Sequence, residues 1–247
     1  MDIILKNIES ELFGGDVVLL EDWDSVEEIV NIETELVEQY KPLYVYCAVN
    51  SADIKSIQFL ESHGYQFSEF RFRSWLPLNG ISEGSNKSYP YEVRLVGDNP
   101  DLDICKDILK SSAPDDRFFN DPKINKEAAL LRIQLNLEKS FSGWPNEFIL
   151  GLYNVQTGKL IGFRSGAFDT EKEVTFYLYG IRSGFDHVKY SELLDNLSIQ
   201  FLQNKGVRII HAISTGLNVD ELNRLIKHHG FKIERTEVFM RKLFKSI

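Results

Sequence analysis

VTFYLYGI at Val174–Ile181 and RIIHAIS at Arg208–Ser214 are the two runs on which the fold turns. Both are rich in β-branched and aromatic residues and both end in a polar loop, so each reads as a strand. Between them lie a loop, Arg182 to His187, and an amphipathic helix. Behind the second run come another helix, the pair Gly230-Phe231 and a closing strand that reaches Phe244. Working backwards, Phe148 to Tyr153 and Leu160 to Phe168 read as strands joined by a hairpin at Gln156-Thr157-Gly158, and Asp169 to Glu173 as a turn. Further upstream stand a strand, Tyr91 to Val96, a helix near Leu102 to Ser111, a loop from Ala113 to Pro122, and a long helix from Asn125 to about Phe141.

The amino-terminal part repeats the closing unit. Asp16 to Leu20 reads as a strand, Asp24 to Gln39 as an acidic amphipathic helix that Pro42 ends, and Leu43 to Val49 as an apolar strand buried on both faces. A helix from Ser51 to His63 follows, capped by Ser51 or Asp53 and closed by Gly64, and Tyr65 to Leu78 is the next strand. Strand, helix, glycine, aromatic and strand thus recur in one order, with Gly64-Tyr65 answering Gly230-Phe231. The amino-terminal copy lacks the strands that precede the motif in the other copy. The polar run Asn79 to Tyr89 reads as a linker. The expected division is a partial unit at 1–79, a linker at 80–90 and a complete unit at 91–247.

Composition narrows the function. In 247 residues, 43% hydrophobic and 12% aromatic content supplies a proper core. The charge of −9, with no Lys/Arg cluster, removes the electrostatic basis of nucleic-acid binding. No apolar run reaches membrane-spanning length, and the opening MDIILKNIESELF turns acidic before a signal segment forms, so a cytoplasmic protein without membrane contact is expected. Cys47 and Cys105 read as reduced structural thiols, and the histidines lack metal-ligand spacing.

The order strand, hairpin, strand VTFYLYGI, loop, helix, strand RIIHAIS, helix, Gly-Phe, strand resembles the GNAT acyltransferase fold. The half-plus-whole arrangement, the opening Glu9-Ser10-Glu11-Leu12-Phe13-Gly14 and the Arg117-Phe118 loop are similar to the dTDP-fucosamine acetyltransferase type. The resemblance implies an α/β (α+β) fold with a mixed, mostly antiparallel central sheet flanked by helices. It implies acetyl-CoA held between Val174–Ile181 and Arg208–Ser214, and N-acylation of a small-molecule amine, including an amino sugar on a nucleotide carrier. Two departures stand out. The diphosphate loop, usually Arg/Gln-x-x-Gly-x-Gly/Ala, is Ser183-Gly184-Phe185-Asp186-His187-Val188-Lys189, and the family's general-acid tyrosine is replaced by Ile226. The alternative reading is a GNAT-like binding module without acyl transfer.

Within that resemblance the donor site falls on Gly180, Ile181, Ser183, His187, Val188, Lys189 and Asn218. Candidates for the proton chemistry are Tyr190, on the first turn of the helix, Tyr179, and His211, which interrupts an apolar strand. Tyr177 and Tyr179 alternate with Phe176 and Leu178 and are expected on one face. On the acceptor side, Asp115-Asp116-Arg117-Phe118-Phe119 reads as a lid in which Arg117 meets an anionic group, with Phe118 and Tyr177 beside it. His63, His228 and His229 precede helix-ending glycines and read as caps. An edge strand of either half offers pairing in a homodimer.

Overall fold

The computed structural model describes residues 1–40, 42–78, 90–112, 116–143 and 145–244. The linker expected at 80–90 lies outside the described residues except for Pro90, as do Ala113, Pro114 and Asp115 of the expected lid.

In chain order the elements are β1 (Asp2–Leu5), α1 (Asn7–Phe13), β2 (Asp16–Glu21), α2 (Val26–Asn31), α3 (Glu33–Gln39), β3 (Pro42–Asn50), α4 (Ile54–Ser62) and β4 (Gln66–Pro77). After the linker come β5 (Tyr91–Leu95), α5 (Asn99–Ser112), α6 (Arg117–Asn120), α7 (Lys126–Ser142), β6 (Glu147–Asn154), β7 (Leu160–Thr170) and β8 (Glu173–Ile181). The remainder is α8 (His187–Asn204), β9 (Ile209–Thr215), α9 (Val219–Asn223), a π-helical turn (Arg224–His228) and β10 (Lys232–Leu243).

All ten strands join in one mixed sheet, ordered β1-β2-β3-β10-β4-β9-β8-β7-β6-β5. Among the described residues only β2–β3 and β8–β9 run parallel. Helices cover both faces. Alternation along the strands sorts the core: Val18, Leu20, Val45 and Cys47 pack with α2 and α4, whereas Val17, Leu19, Tyr44 and Tyr46 pack with Phe13, Phe118 and Ala129 of α1, α6 and α7. Further along α7, Ile133 and Leu137 join the core of α5 and β6. This one helix therefore ties the two halves together.

The two glycine–aromatic turns share a backbone geometry. Gly64 and Gly230 both take left-handed φ values, +87° and +77°, and each is followed by a buried aromatic, Tyr65 or Phe231. The amide of that aromatic returns to the preceding helix, Tyr65 to the Leu60 carbonyl and Phe231 to the Leu225 carbonyl, both at 3.0 Å. Of the two caps expected for α4, Asp53 serves, its Oδ1 accepting from the Ser56 amide at 3.1 Å. The acidic helix is broken in two at Ile32.

Two features differ from the expectation. The amino-terminal unit does have strands ahead of its motif: β1 and β2 pair antiparallel as β7 and β8 do, and β2 runs parallel to β3 as β8 does to β9. Four-residue β1, at the sheet edge, is too short to show an alternating pattern. Moreover, the units exchange their last strands. β4 leaves its own β3 to pair with β9, β10 leaves β9 to pair with β3, and the two pair with each other at the centre.

Candidate active site

β8 and β9 pair only from Glu173–Ile209 to Phe176–Ala212. Beyond that point β8 continues to Ile181 on β7, and β9 continues to Thr215 on β4. The parallel strands therefore part. A bulge starts the parting: Arg164 pairs with Tyr179 and Gly166 with Phe176, so Tyr177 and Leu178 share the place opposite Ser165, whose Oγ accepts from the Leu178 amide at 3.1 Å. An extra residue bends its strand and reverses the faces after it. That corrects the expectation for Tyr177 and Tyr179, which face opposite sides of the sheet. In the amino-terminal unit β2 stays paired with β3 through Leu20–Cys47, so no comparable opening forms there among the described residues.

A cavity of about 220 Å³ runs through the opening. On one side of the sheet it is walled by Leu109, Ser112, Arg117 and Ile133, and on the other by Asn218 and Glu221. Glu69 and Arg71 of β4 complete the rim next to Thr215. It adjoins a second cavity of about 420 Å³ on the α7 side, where Arg132, Asn136, Lys139 and Glu147 face Tyr177, Leu178 and Ile213. Strand exchange makes this site a product of both units.

On the α8 side the opening is floored by buried charges. Asp195 of α8 accepts from Arg164 Nη2 at 2.5 Å and from Arg224 Nε at 2.7 Å, with His229 Nε2 at 3.6 Å. Glu221 stands 3.6 Å from Arg164 Nη1. Burial alone would lift the Asp195 carboxyl, but Arg164 and Arg224 outweigh it and hold it below its ordinary value. For Glu221 burial prevails over the same two arginines and the carboxyl is raised. Tyr179 lies on this cluster, with the Arg164 and Arg224 guanidinium carbons 4.9 and 4.8 Å from its ring centre and the Asn218 amide nitrogen 3.3 Å from its hydroxyl. Burial, then Glu221, raises the phenol, which therefore keeps its proton at neutral pH. Sequence reading missed this cluster. Its signal is Arg164 inside the apolar run of β7 and Asp195 within the apolar stripe of α8.

No family profile and no curated protein matches this chain. Solved structures do. A functionally unknown conserved protein from Staphylococcus epidermidis aligns at TM-score 0.66 with 11% identity, over 96% of this chain and 88% of its own. A GCN5-related N-acetyltransferase from Sphaerobacter thermophilus aligns at 0.59 with 15% identity, over 98% and 75%. A tandem GNAT protein from the clavulanic acid biosynthesis pathway aligns at 0.59 with 12% identity, over 93% and 76%. The fold is that of the GCN5-related N-acetyltransferases. At such identities the likeness carries the fold, and the chemistry has to come from the residues.

The residues expected to hold the donor lie at the end of β8, at the start of α8 and before α9. Gly180 and Ile181 end β8 and are buried; a Cβ on Gly180 would sit 2.6 Å from Ile108 Cγ2, so glycine there lets α5 close on the strand. Ser183, His187, Val188 and Lys189 are exposed at the start of α8, where Asp186 caps the Lys189 amide at 3.1 Å. Burial and then Arg224 hold the His187 imidazole below its ordinary value, so it is neutral at pH 7. Asn218 caps α9 through the Glu221 amide and also reaches Tyr179.

Three residues land away from the opening. The Tyr190 hydroxyl lies 2.9 Å from that of Tyr91 on β5, at the far edge of the sheet. His211 sits in the paired part of β9, opposite Thr175, with Glu173 Oε2 at 3.6 Å. Phe118 is a fully buried core side chain between Phe13, Tyr44 and Tyr46, because the α6 turn drives it inward. The lid expectation is corrected accordingly: Asp116 and Arg117 line the cavity, but Asp116 caps α6 and binds Arg132 at 2.6 Å, and Phe118 turns away from it. His63 behaves as expected, its Nδ1 lying 2.8 Å from the Phe59 carbonyl, whereas the His229 side chain turns inward to Asp195. Ile226, expected in place of a general-acid tyrosine, falls within the π-helical turn. Among the described residues no helix is long and apolar enough to cross a membrane, and no cluster of side chains could hold a metal ion.

Proposed function

We propose that this protein is an acyl-CoA-dependent N-acyltransferase acting on a small polar amine. The observation that carries the reading is the parting of β8 and β9 beyond Phe176 and Ala212, with a cavity passing through it. Beyond that point β8 makes no strand pairing towards β9, so main-chain groups of Tyr177–Ile181 can hold a pantetheine arm and polarise a thioester carbonyl. The residues fit acetyl-CoA as co-substrate: the amides at the start of α8 suit phosphate, with Arg182 and Lys189 offsetting Asp186. Among the tyrosines, Tyr179 is the acid. It keeps its proton, lines the opening and is fixed by Asn218 and two guanidinium groups.

The amine approaches from the α5/α7 side, past Arg117 and Tyr177, and attacks the thioester carbon. The C–S bond breaks and Tyr179 supplies the sulfur with a proton. An amino sugar on a nucleotide carrier is the acceptor to test first, on the resemblance of the opening Glu9–Gly14 stretch and the Arg117-Phe118 segment. A cytoplasmic location, an edge-paired homodimer and an internal duplication belong to the same proposal. The amide repeats at Gly64 and Gly230 support the duplication.

Acetyl-CoA at one hundred times its Kd is expected to stabilise the protein by about 2.7 kcal/mol. At this chain length that is a Tm increase of roughly 5–10 °C. No increase with acetyl-CoA or longer acyl-CoAs would remove the reading. Tyr179→Phe is expected to lower turnover about 100-fold with donor affinity retained, while Tyr190→Phe leaves turnover unchanged. The second reading, a binding module without transfer, is favoured by Ile226 in the acid's position; it requires an acyl-CoA shift without turnover of any amine.

A further inference from the structure

Acylation of an amine needs more than an acid for the leaving group, because at neutral pH a primary amine is an ammonium ion with no lone pair to attack. Among the described residues four carboxylates line the two cavities. Asp116 is spent: Oδ1 caps α6 and Oδ2 binds Arg132. Glu147 lies on the outer cavity, held by Ser140 and Lys139. Glu221 lies on the opposite side of the sheet, at Arg164. Glu69 remains.

Glu69 is 6% exposed yet lines the cavity through the sheet, directly beside the parted end of β9. Its Oε1 accepts from Arg117 Nη1 at 3.1 Å and its Oε2 from Thr215 Oγ1 at 3.3 Å. Among the described residues each oxygen has one side-chain hydrogen-bond partner, which leaves acceptor capacity on both. The Arg117 guanidinium is stacked 4.6 Å from the Tyr46 ring centre, 4.7 Å from Phe118 and 4.5 Å from Phe239, so the carboxylate is held by a fixed group. Glu69 reaches the opening only because β4 has crossed from the amino-terminal unit to pair with β9.

We propose that Glu69 is the general base of the acceptor site, taking a proton from a cationic primary amine that enters between Arg117 and Tyr177. This rests on the acyltransferase reading. The ammonium gives one proton to the Glu69 carboxylate, which passes it to solvent. The freed lone pair forms the C–N bond, the C–S bond breaks, the sulfur takes the Tyr179 proton, and the second proton leaving nitrogen restores Tyr179. One proton is released per turnover. Burial, and after it Asp116, raises the Glu69 carboxyl although Arg117 opposes this, which brings it nearer to the range of a useful base. The other groups facing it are Arg71 on its own strand, Thr215 on β9 and Tyr177 across the cavity.

The test is acetyl-CoA turnover, read as thiol release, with glucosamine, spermidine, lysine and tyramine, in wild type and Glu69→Gln, across pH 6 to 10. The expected result is a loss of about 100-fold in kcat/KM near neutral pH for Glu69→Gln. The deficit should narrow as the pH approaches the amine's own ionisation, and the acetyl-CoA melting shift should stay intact. A structural role would not give that pH dependence. Turnover of Glu69→Gln within twofold of wild type at every pH overturns the assignment alone. An acetyl-CoA shift without turnover of any of the four amines overturns it in this form, and absence of the shift in wild type overturns the acyltransferase reading with it. Where Glu69→Gln fails to fold, Glu69→Asp serves: a displaced acid limb of its pH profile supports the role, and an unchanged profile and rate overturn it.

Discussion

Asp195→Ala is expected to destabilise the protein by about 3–5 kcal/mol, the cost of stranding buried charges. Two guanidinium groups, Arg164 and Arg224, meet on this one carboxylate, and both are almost wholly buried. Removal of the carboxylate leaves two cations facing each other with Glu221 and the His229 ring as neighbours. Urea denaturation should show a lower midpoint at unchanged m-value. The effect extends to chemistry, since Tyr179 rests on the same guanidinium groups: a fraction of protein that still folds should bind acetyl-CoA and turn over more slowly. The cluster also sets a pH dependence. Burial holds His229 below its ordinary 6.5, so the unfolded chain takes up a proton there before the folded one does, and stability falls as pH drops below about 6.5. Asp195, depressed from 3.8, contributes stability that is present above that value and lost as pH falls through the lower folded one. Glu221, raised, works in the opposite sense around its ordinary 4.5. Acid unfolding should accordingly begin in the histidine range, and a stability that stayed flat from pH 7 to 5 would contradict this account of His229.

Phe118→Ala should cost about as much, roughly 3–5 kcal/mol for a fully buried phenylalanine. Its ring lies 5.3 Å from Phe13, 5.2 Å from Tyr44 and 5.9 Å from Tyr46, and both Arg117 and Arg132 stack on it at 4.7 and 4.8 Å. The vacated space lies between the amino-terminal sheet and α7. Loss of the ring therefore unseats Arg117 and, through it, Glu69. Thermal unfolding measures the first effect. Wild-type turnover in a destabilised Phe118→Ala would show that Arg117 is positioned without it.

The strands around VTFYLYGI and the glycine–aromatic turns were legible because each is a local pattern, set by side-chain alternation or by a φ that favours glycine. The bulge at Tyr177–Leu178 was not, since both residues suit a regular strand and one extra residue reverses the face of everything after it. That is how Tyr177 and Tyr179 came to be expected on one side. Arg164 and Asp195 each interrupt an apolar pattern, and Glu69 lies in a mixed polar–aromatic strand, but their partners lie far along the chain, and periodicity does not reveal which distant charge closes on which. Tyr190 on the first turn of α8 and His211 within an apolar strand stand near the opening in sequence; the Tyr91 hydroxyl and the paired part of β9 decide their surroundings.

The crossing of β4 and β10 has a consequence for how the molecule is made. While the ribosome is still building the second unit, β3 has already emerged without the neighbour it needs, and β4 has nothing on either side until β9 and β10 arrive. For that interval three unpaired strand edges, one of β3 and both of β4, are open to other chains. Slow synthesis or crowding should therefore favour reciprocal exchange of β4 between molecules, and the acceptor site would then be assembled with a glutamate from a different polypeptide.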